Sequence, residues 1–353
     1  MVVATGFFDG VHLGHRFLID RLIGEAHRRG TQSLIVTFWP HPRNVLQNEA
    51  RDFRLLSSMQ EKKALLMEMG VDRVEVLEFS RAFSSLTMRE YIRQVLIGRF
   101  GAKCLVLGYD NRMGCDCHNT DELADIAREE GLDVVRVGVV KSGRLERRDA
   151  NTGSISSTRI RNALAEGRVE DAASMLGRPY SLHGVVVAGN RLGRTIGFPT
   201  ANMQLYEPLK VIPAPGVYAV YVNIPSSVSA PEKLHITSER MSSVPESIST
   251  VHESMPAGPE GKRERTFFCS EHPFGDSSFL GMCNIGYRPT IGPGNALTIE
   301  THILDFDEDI YGLDIHIHFY KRIREERKFD SLSALADQLK ADREQVRHTL
   351  ARL

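Results

Sequence analysis

The chain has 353 residues, long enough for two domains, and 42% of them are apolar, ample for two cores. Its 44 basic and 45 acidic residues leave a net charge of −1, so there is no electrostatic footprint for nucleic acid or an anionic membrane. Five cysteines (Cys104, Cys115, Cys117, Cys269, Cys283), odd in number and sparse, read as free thiols in a reducing compartment, and with no signal peptide or apolar span in view the expected address is the cytosol.

The first strand begins at Met1 with no lead-in, so either the domain starts abruptly or residues upstream are missing. Val2, Val3 and Ala4 run into a turn carrying Gly6, Phe8, Asp9 and Gly10, then into His12, Gly14 and His15 at the start of a helical pattern. A helix N-terminus presents free N–H groups and a partial positive charge, glycine lets backbone approach closely, and histidines add donors; together they suit a phosphate. The plainer alternative is a pair of histidines that cap and pack. Apolar runs at 33–38, 74–79, 104–107 and 134–139 then alternate with helical patterns at 61–69, 88–100 and 121–130, which predicts a doubly wound parallel sheet. Ligands of such a sheet sit at the carboxyl ends of its strands, where the 6–10 turn and the 108–114 loop both fall. Just after that loop, Cys115-Asp116-Cys117-His118 fits no common zinc spacing and reads as a polar segment. Ser156, Ser157, Thr158, Arg159 and Arg161 open another helix and form either a second anion site or a plain N-cap with surface arginines.

After Gly177 the pattern changes to short strands at 183–188, 216–223, 279–285, 297–304 and 314–320, punctuated by Gly and Pro, which predicts a closed β-barrel. Between its first strands, Gly189, Gly193, Arg194, Gly197, Phe198 and Pro199 form a glycine-spaced loop ending in Thr200 and Asn202. In extended chain those two side chains share a face, and their oxygens are neutral hard ligands of the kind Mg²⁺ accepts beside phosphates; a polar hairpin tip is the alternative. Glu300 shares a strand face with Thr298 and His302 and is either a general base or a surface glutamate. His316 and His318 read as solvent-side residues. The 225–277 segment lacks periodicity and is expected to be a disordered insertion. Two short helices should close the chain, capped by Ser331 and Asp342.

Taken together, these motifs resemble the bacterial bifunctional riboflavin kinase/FAD synthetases over the whole chain except the insertion. The resemblance runs through 6–15, Thr37–Pro42, 108–114, 156–161, 177–180, 193–202, Pro215–Tyr218, Asn284–Thr290, Glu300–Gly312 and 324–329. It implies an adenylyltransferase domain at 1–178 and a riboflavin kinase barrel at 179–353, with ATP, riboflavin and FMN as substrates and Mg²⁺ as cofactor. It further implies that His12 and His15 steady the α-phosphate, Ser156–Arg159 hold the leaving pyrophosphate, Asp110 lies near the nucleotide and His41 near the flavin phosphate. In the barrel, Thr200 and Asn202 would hold the metal-bound nucleotide and Glu300 would be the base. Partners beyond these small molecules are not expected, and the oligomeric state is unassigned.

Overall fold

A computed structural model of the chain describes residues 1–46, 53–108, 114–116, 119–138, 155–189, 192–225, 278–287 and 297–351. Asp110 and, apart from Pro225, the whole predicted insertion lie outside the described residues.

β1 (Val2–Thr5) is buried at every position, as the central strand of an α/β layer must be. A 3-10 turn over Asp9–Val11 leads into α1 (Leu13–Arg28), whose Leu18, Ile19, Leu22 and Ala26 recur at helical spacing and are buried against the sheet. β2 (Ser33–Trp39), α2 (Pro42–Leu46), α3 (Met59–Glu68) and β3 (Arg73–Glu78) complete one side of the layer. The other side carries α4 (Arg81–Ser84), α5 (Met88–Glu90), a π-helical run over Tyr91–Arg99, β4 (Cys104–Leu107), α6 (Thr120–Glu129) and β5 (Asp133–Arg136). The expected helix over 88–100 is thus only briefly α-helical: Phe100 N–H reaches back five residues to Val95 O. All strand pairings are parallel, in the order β3-β2-β1-β4-β5. The chain reverses direction across the sheet between β1 and β4, so the carboxyl end of β1 is the switch point where ligands of such sheets bind.

Two helices, α7 (Ser157–Ala165) and α8 (Val169–Leu176), connect the sheet to the barrel; α8 ends on Gly177 in the left-handed region (φ 72°). The barrel strands are β6 (Tyr180–Val187), β7 (Ala201–Leu205), β8 (Gly216–Asn223), β9 (Ser278–Tyr287), β10 (Leu297–Ile303) and β11 (Asp314–Arg324), with the short helix α9 (Leu192–Thr195) between β6 and β7. They close as β10-β7-β6-β11-β8-β9, every pairing antiparallel. Alternation puts Leu182, Val186, Met203, Val220, Ile285 and Ile317 into one interior core, and Ile160, Leu164, Val169 and Leu176 of α7 and α8 belong to that same core.

Two expectations are corrected. The chain ends in one helix, α10 (Leu332–Leu350), capped by Ser331, whose Oγ accepts from Ala334 N at 3.1 Å. Asp342 does not cap a second helix: it is buried and its carboxylate takes bonds from Arg324 Nε at 2.9 Å and Gln338 Nε2 at 2.7 Å, so the helix runs through it. His316 and His318 point out of the barrel but not into solvent. They are half-buried, with His316 stacked on His183 at 3.9 Å, and charge on Lys210 is felt at both of them. Lys210 belongs to the seam with the first domain, where it pairs with Glu61 of α3 while Leu55 exchanges backbone bonds with Leu209 O (2.7 Å) and Val211 N (2.8 Å). Burial pushes His316 down to about 4 and His318 to about 3, so both are neutral at pH 7.

Candidate active sites

The first site is assembled at the carboxyl end of β1. Gly10 adopts φ 78°, and a side chain there would come within 2.9 Å of Leu56 Cδ1, so the turn tolerates only glycine without a shift. Asp9 is 3% exposed and its carboxylate is fully engaged: it accepts from Leu56 N at 3.0 Å and Ser57 N at 3.2 Å and pairs with Arg161 of α7. Asp9 and Arg161 therefore brace the turn. Arg161, expected from sequence to clamp phosphate together with Arg159, is committed to this ion pair and to Arg54 O at 2.7 Å. Arg178, just past α8, adds a second brace by donating to Gly10 O at 2.8 Å and Val11 O at 3.4 Å.

His12 is the N-cap of α1, and its Nδ1 accepts from His15 N at 3.3 Å, so the ring proton sits on Nε2. The two rings stack at 3.6 Å, with Gly14 between them in the first helical turn and Phe8 edge-on to His15 at 5.3 Å. Burial holds His12 at about 4 and His15 well below the usual imidazole value, with Arg178 and Arg161 adding to the first and His12 and Lys62 to the second. Both rings are neutral donors at pH 7, suited to hydrogen-bond a charge that develops on a phosphoryl oxygen. The ring that caps with Nδ1 still carries its proton on Nε2, so capping and anion binding are compatible roles for it.

Ser156 caps α7, its Oγ accepting from Arg159 N at 3.4 Å, and Ser157 Oγ donates to Asp9 O at 3.1 Å. That bond joins the N-terminus of α7 to the histidine turn across 148 positions of sequence. Thr158 is exposed and Arg159 half-buried in the first turn, and Gly6 lies at the end of β1. His41 packs edge-on to Phe7 at 4.0 Å, and burial pushes it down to about 3. Sequence reasoning missed Arg178 and Lys62 as members of this site. Arg178 stood in a motif without an assigned role, and Lys62 sits in a run of polar residues that resembles any solvated helix face.

The second site lies on the barrel's outer surface between β6, β7 and β10. Strand register sets Glu300 directly opposite Asn202 on one side and Asn284 on the other, so three polar side chains share the outward face. Gly189 leaves room for Asn202: a Cβ there would meet Asn202 Nδ2 at 2.2 Å. Gly193 O accepts from Phe198 N at 2.8 Å, folding the loop so that Phe198 is buried edge-on to His302 at 5.1 Å. His302 in turn bonds Pro199 O at 2.8 Å, which fixes the approach to Thr200. A pocket beside this loop is lined by Arg194, Thr200 and Glu308 together with Val186, Ala201 and Thr301, so it reaches the inner face of β7 and β10, and neither Asn202 nor Glu300 lines it; Gly197 lies at the loop's bend. The segment 306–311, to which the sequence alone assigns no role, forms the pocket's far wall. Thr200 and Asn202 supply oxygen donors, and Asn202 is held in a cradle only glycine leaves open, so the pair fits a hard divalent cation shared with phosphates. Among the described residues no group of three or more His, Cys, Asp or Glu could hold a metal unaided. Nor is any helix among them long and apolar enough to cross a membrane.

Comparison with known proteins covers both halves. The FAD synthetase family matches residues 1–158 and the riboflavin kinase family residues 176–350. A "bifunctional riboflavin kinase/FMN adenylyltransferase" of Listeria monocytogenes is 32% identical over 100% of this chain and 93% of its own length. The protein of that name from Escherichia coli is 32% identical over 97% and 90%. Among solved structures, one titled a macrolide-efflux protein from Streptococcus pneumoniae superposes with a TM-score of 0.76 at 31% identity, covering 98% of this chain and 93% of that one. With family matches on both domains and relatives that span its length, the chain belongs to the bifunctional riboflavin kinase/FMN adenylyltransferase family.

Proposed function

We propose that the chain makes FAD in two steps at the two sites: the barrel transfers the γ-phosphate of ATP to riboflavin, giving FMN, and the parallel-sheet domain joins AMP from a second ATP to FMN, releasing pyrophosphate. The two family matches, one on each half, support the pair of reactions. The division of labour follows a boundary near 178/179, after α8 and before β6.

In the sheet domain, an FMN phosphate oxygen attacks the α-phosphorus of ATP and the bond to the β-phosphate breaks. His12 Nε2–H and His15 donate to the α-phosphate as charge builds there. The N-terminus of α7, with Ser156, Ser157, Thr158 and Arg159, receives the departing pyrophosphate. The observation that carries this reading is the bond from Ser157 to Asp9 O at 3.1 Å, which holds the N-terminus of α7 against the turn leading into α1, an arrangement suited to a run of phosphates. Gly6, Phe8, Gly10 and Gly14 shape the turn and His41 lies toward the flavin phosphate. No covalent enzyme intermediate is required, because the acceptor phosphate is already a nucleophile.

In the barrel, Glu300 takes the proton from the riboflavin hydroxyl as its oxygen attacks the γ-phosphorus, and the loop from Gly189 to Pro199 cradles the nucleotide. Thr200 and Asn202 would hold Mg²⁺, which when bound neutralises phosphate charge. Free thiols at Cys104, Cys115 and Cys283 support a cytoplasmic setting. Incubating the protein with riboflavin, ATP and Mg²⁺ and separating products by chromatography tests the scheme: FMN should appear first and FAD after it, and an absence of both contradicts it.

A further inference from the structure

Lys62 is a charged residue that the fold buries without using. It lies in the first turn of α3 beside Glu61, yet the two side chains serve different ends. Glu61 closes a capping box with Ser58 and pairs with Lys210 of the barrel domain. Lys62 is 1% exposed, and its Nζ has no hydrogen-bond partner among the described residues. It sits 3.5 Å above the ring of Phe7, which packs on His41 at 4.0 Å. Its charge is felt at His15 and His41, and that of Asp9 at Lys62. His15 Nδ1 is buried without a partner as well. These are two unsatisfied polar atoms from two different helices, the charge of one felt at the ring of the other, and a buried ammonium is stabilised where a counter-anion arrives. Asp9 is not that anion, since Arg161 and two backbone amides already engage it.

The anion can be placed by elimination. The leaving phosphates have the N-terminus of α7, and the α-phosphate has the histidine pair. Lys62 lies against Phe7, which packs on His41, the residue that the adenylyl-transfer reading sets toward the flavin phosphate, and in-line displacement puts the attacking group opposite the leaving one. We infer that Lys62 binds the phosphate of the acceptor flavin mononucleotide and holds the attacking oxygen against the α-phosphorus. This rests on the reading of the sheet domain as the adenylyl-transfer site. Burial lowers Lys62 to about 8, so the free enzyme carries the charge at pH 7 and loses it as pH rises through that value.

The test uses the full-length protein and Lys62→Met, which keeps length and removes charge. Losing one charge-assisted phosphate contact should lower kcat/KM for FMN in FAD formation by about 10- to 100-fold. KM for ATP should stay within about twofold, and riboflavin phosphorylation by the same preparation should be unchanged. The wild-type kcat/KM for FMN should decline above about pH 8, and Lys62→Met should lack that limb while Lys62→Arg moves it beyond the measured range. Equal losses toward FMN and ATP with the alkaline limb retained overturn the assignment. If Lys62→Met does not fold, the wild-type profile and Lys62→Arg still decide: a limb that Lys62→Arg leaves in place overturns it. His12→Ala separates this from the site itself. If His12→Ala makes FAD normally, the site reading fails; if it does not and Lys62→Met does, only the role of Lys62 fails.

Discussion

The two sites handle the same cosubstrate with opposite construction. The barrel site is set by strand pairing: Asn202 and Glu300, far apart in sequence, meet because two adjacent strands pair in register, and one glycine makes room for the amide. The sheet site is held instead by side-chain braces from distant segments. Its turn is held by Arg161, 152 positions away, by Ser157, 148 away, and by Arg178, 168 away from the carbonyl it grips. A register-built site should lose function when a residue touching the substrate is changed and little else. A site braced from distant segments should also lose stability, because its braces are buried polar groups.

Asp9→Asn probes that contrast hardest. It strands Arg161 and breaks a buried pair, which should cost about 3–5 kcal/mol in chemical denaturation and disable FAD formation. If stability is unchanged, the turn is not braced as described. Ser157→Ala is milder. It removes one bond between the two helix starts and should lower FAD formation about 10-fold, roughly 1–1.5 kcal/mol, while leaving riboflavin phosphorylation intact. A loss shared by both activities would mean that α7 acts on the barrel rather than on the histidine turn.

The smallest expected effect lies at the seam between the domains. His316 and His318 have folded-state values near 4 and 3, below the ordinary 6.5 of an exposed imidazole. The unfolded chain therefore takes up protons first, so the stability that neutral rings support is present above about pH 6.5 and is lost as pH falls toward 4. Melting temperature should drop between pH 7 and 5, and His316→Gln should flatten that slope. An identical slope in the variant would remove the stack from the account.

What could be read in advance follows the same division. Strand alternation predicted the barrel, and Val-rich runs between helical patterns predicted the parallel sheet, because both depend on local periodicity. The His12–His15 turn was legible for the same reason: its residues are neighbours in sequence. Lys62 was not, since a lysine among polar neighbours looks solvated until the fold buries it, and Arg178 was not, since the carbonyls it grips lie far away in sequence. Asp342 misled for a related reason. An aspartate inside a helical pattern looks like a cap, but here Arg324 from β11 and Gln338 engage its carboxylate and α10 continues through it. The histidines of β11 were placed on the correct side of the strand, but alternation does not reveal that another domain covers that side.

The central claim is that each half performs one step without the other's machinery. Glu300→Ala and His12→Ala, each folded, should be assayed alone and mixed, with riboflavin, ATP and Mg²⁺. Glu300→Ala should make no FMN from riboflavin, a loss of about 10²–10⁴-fold, yet convert added FMN to FAD. His12→Ala should stop at FMN, and the mixture should make FAD from riboflavin. If either single substitution abolishes both reactions in a folded protein, the account is contradicted.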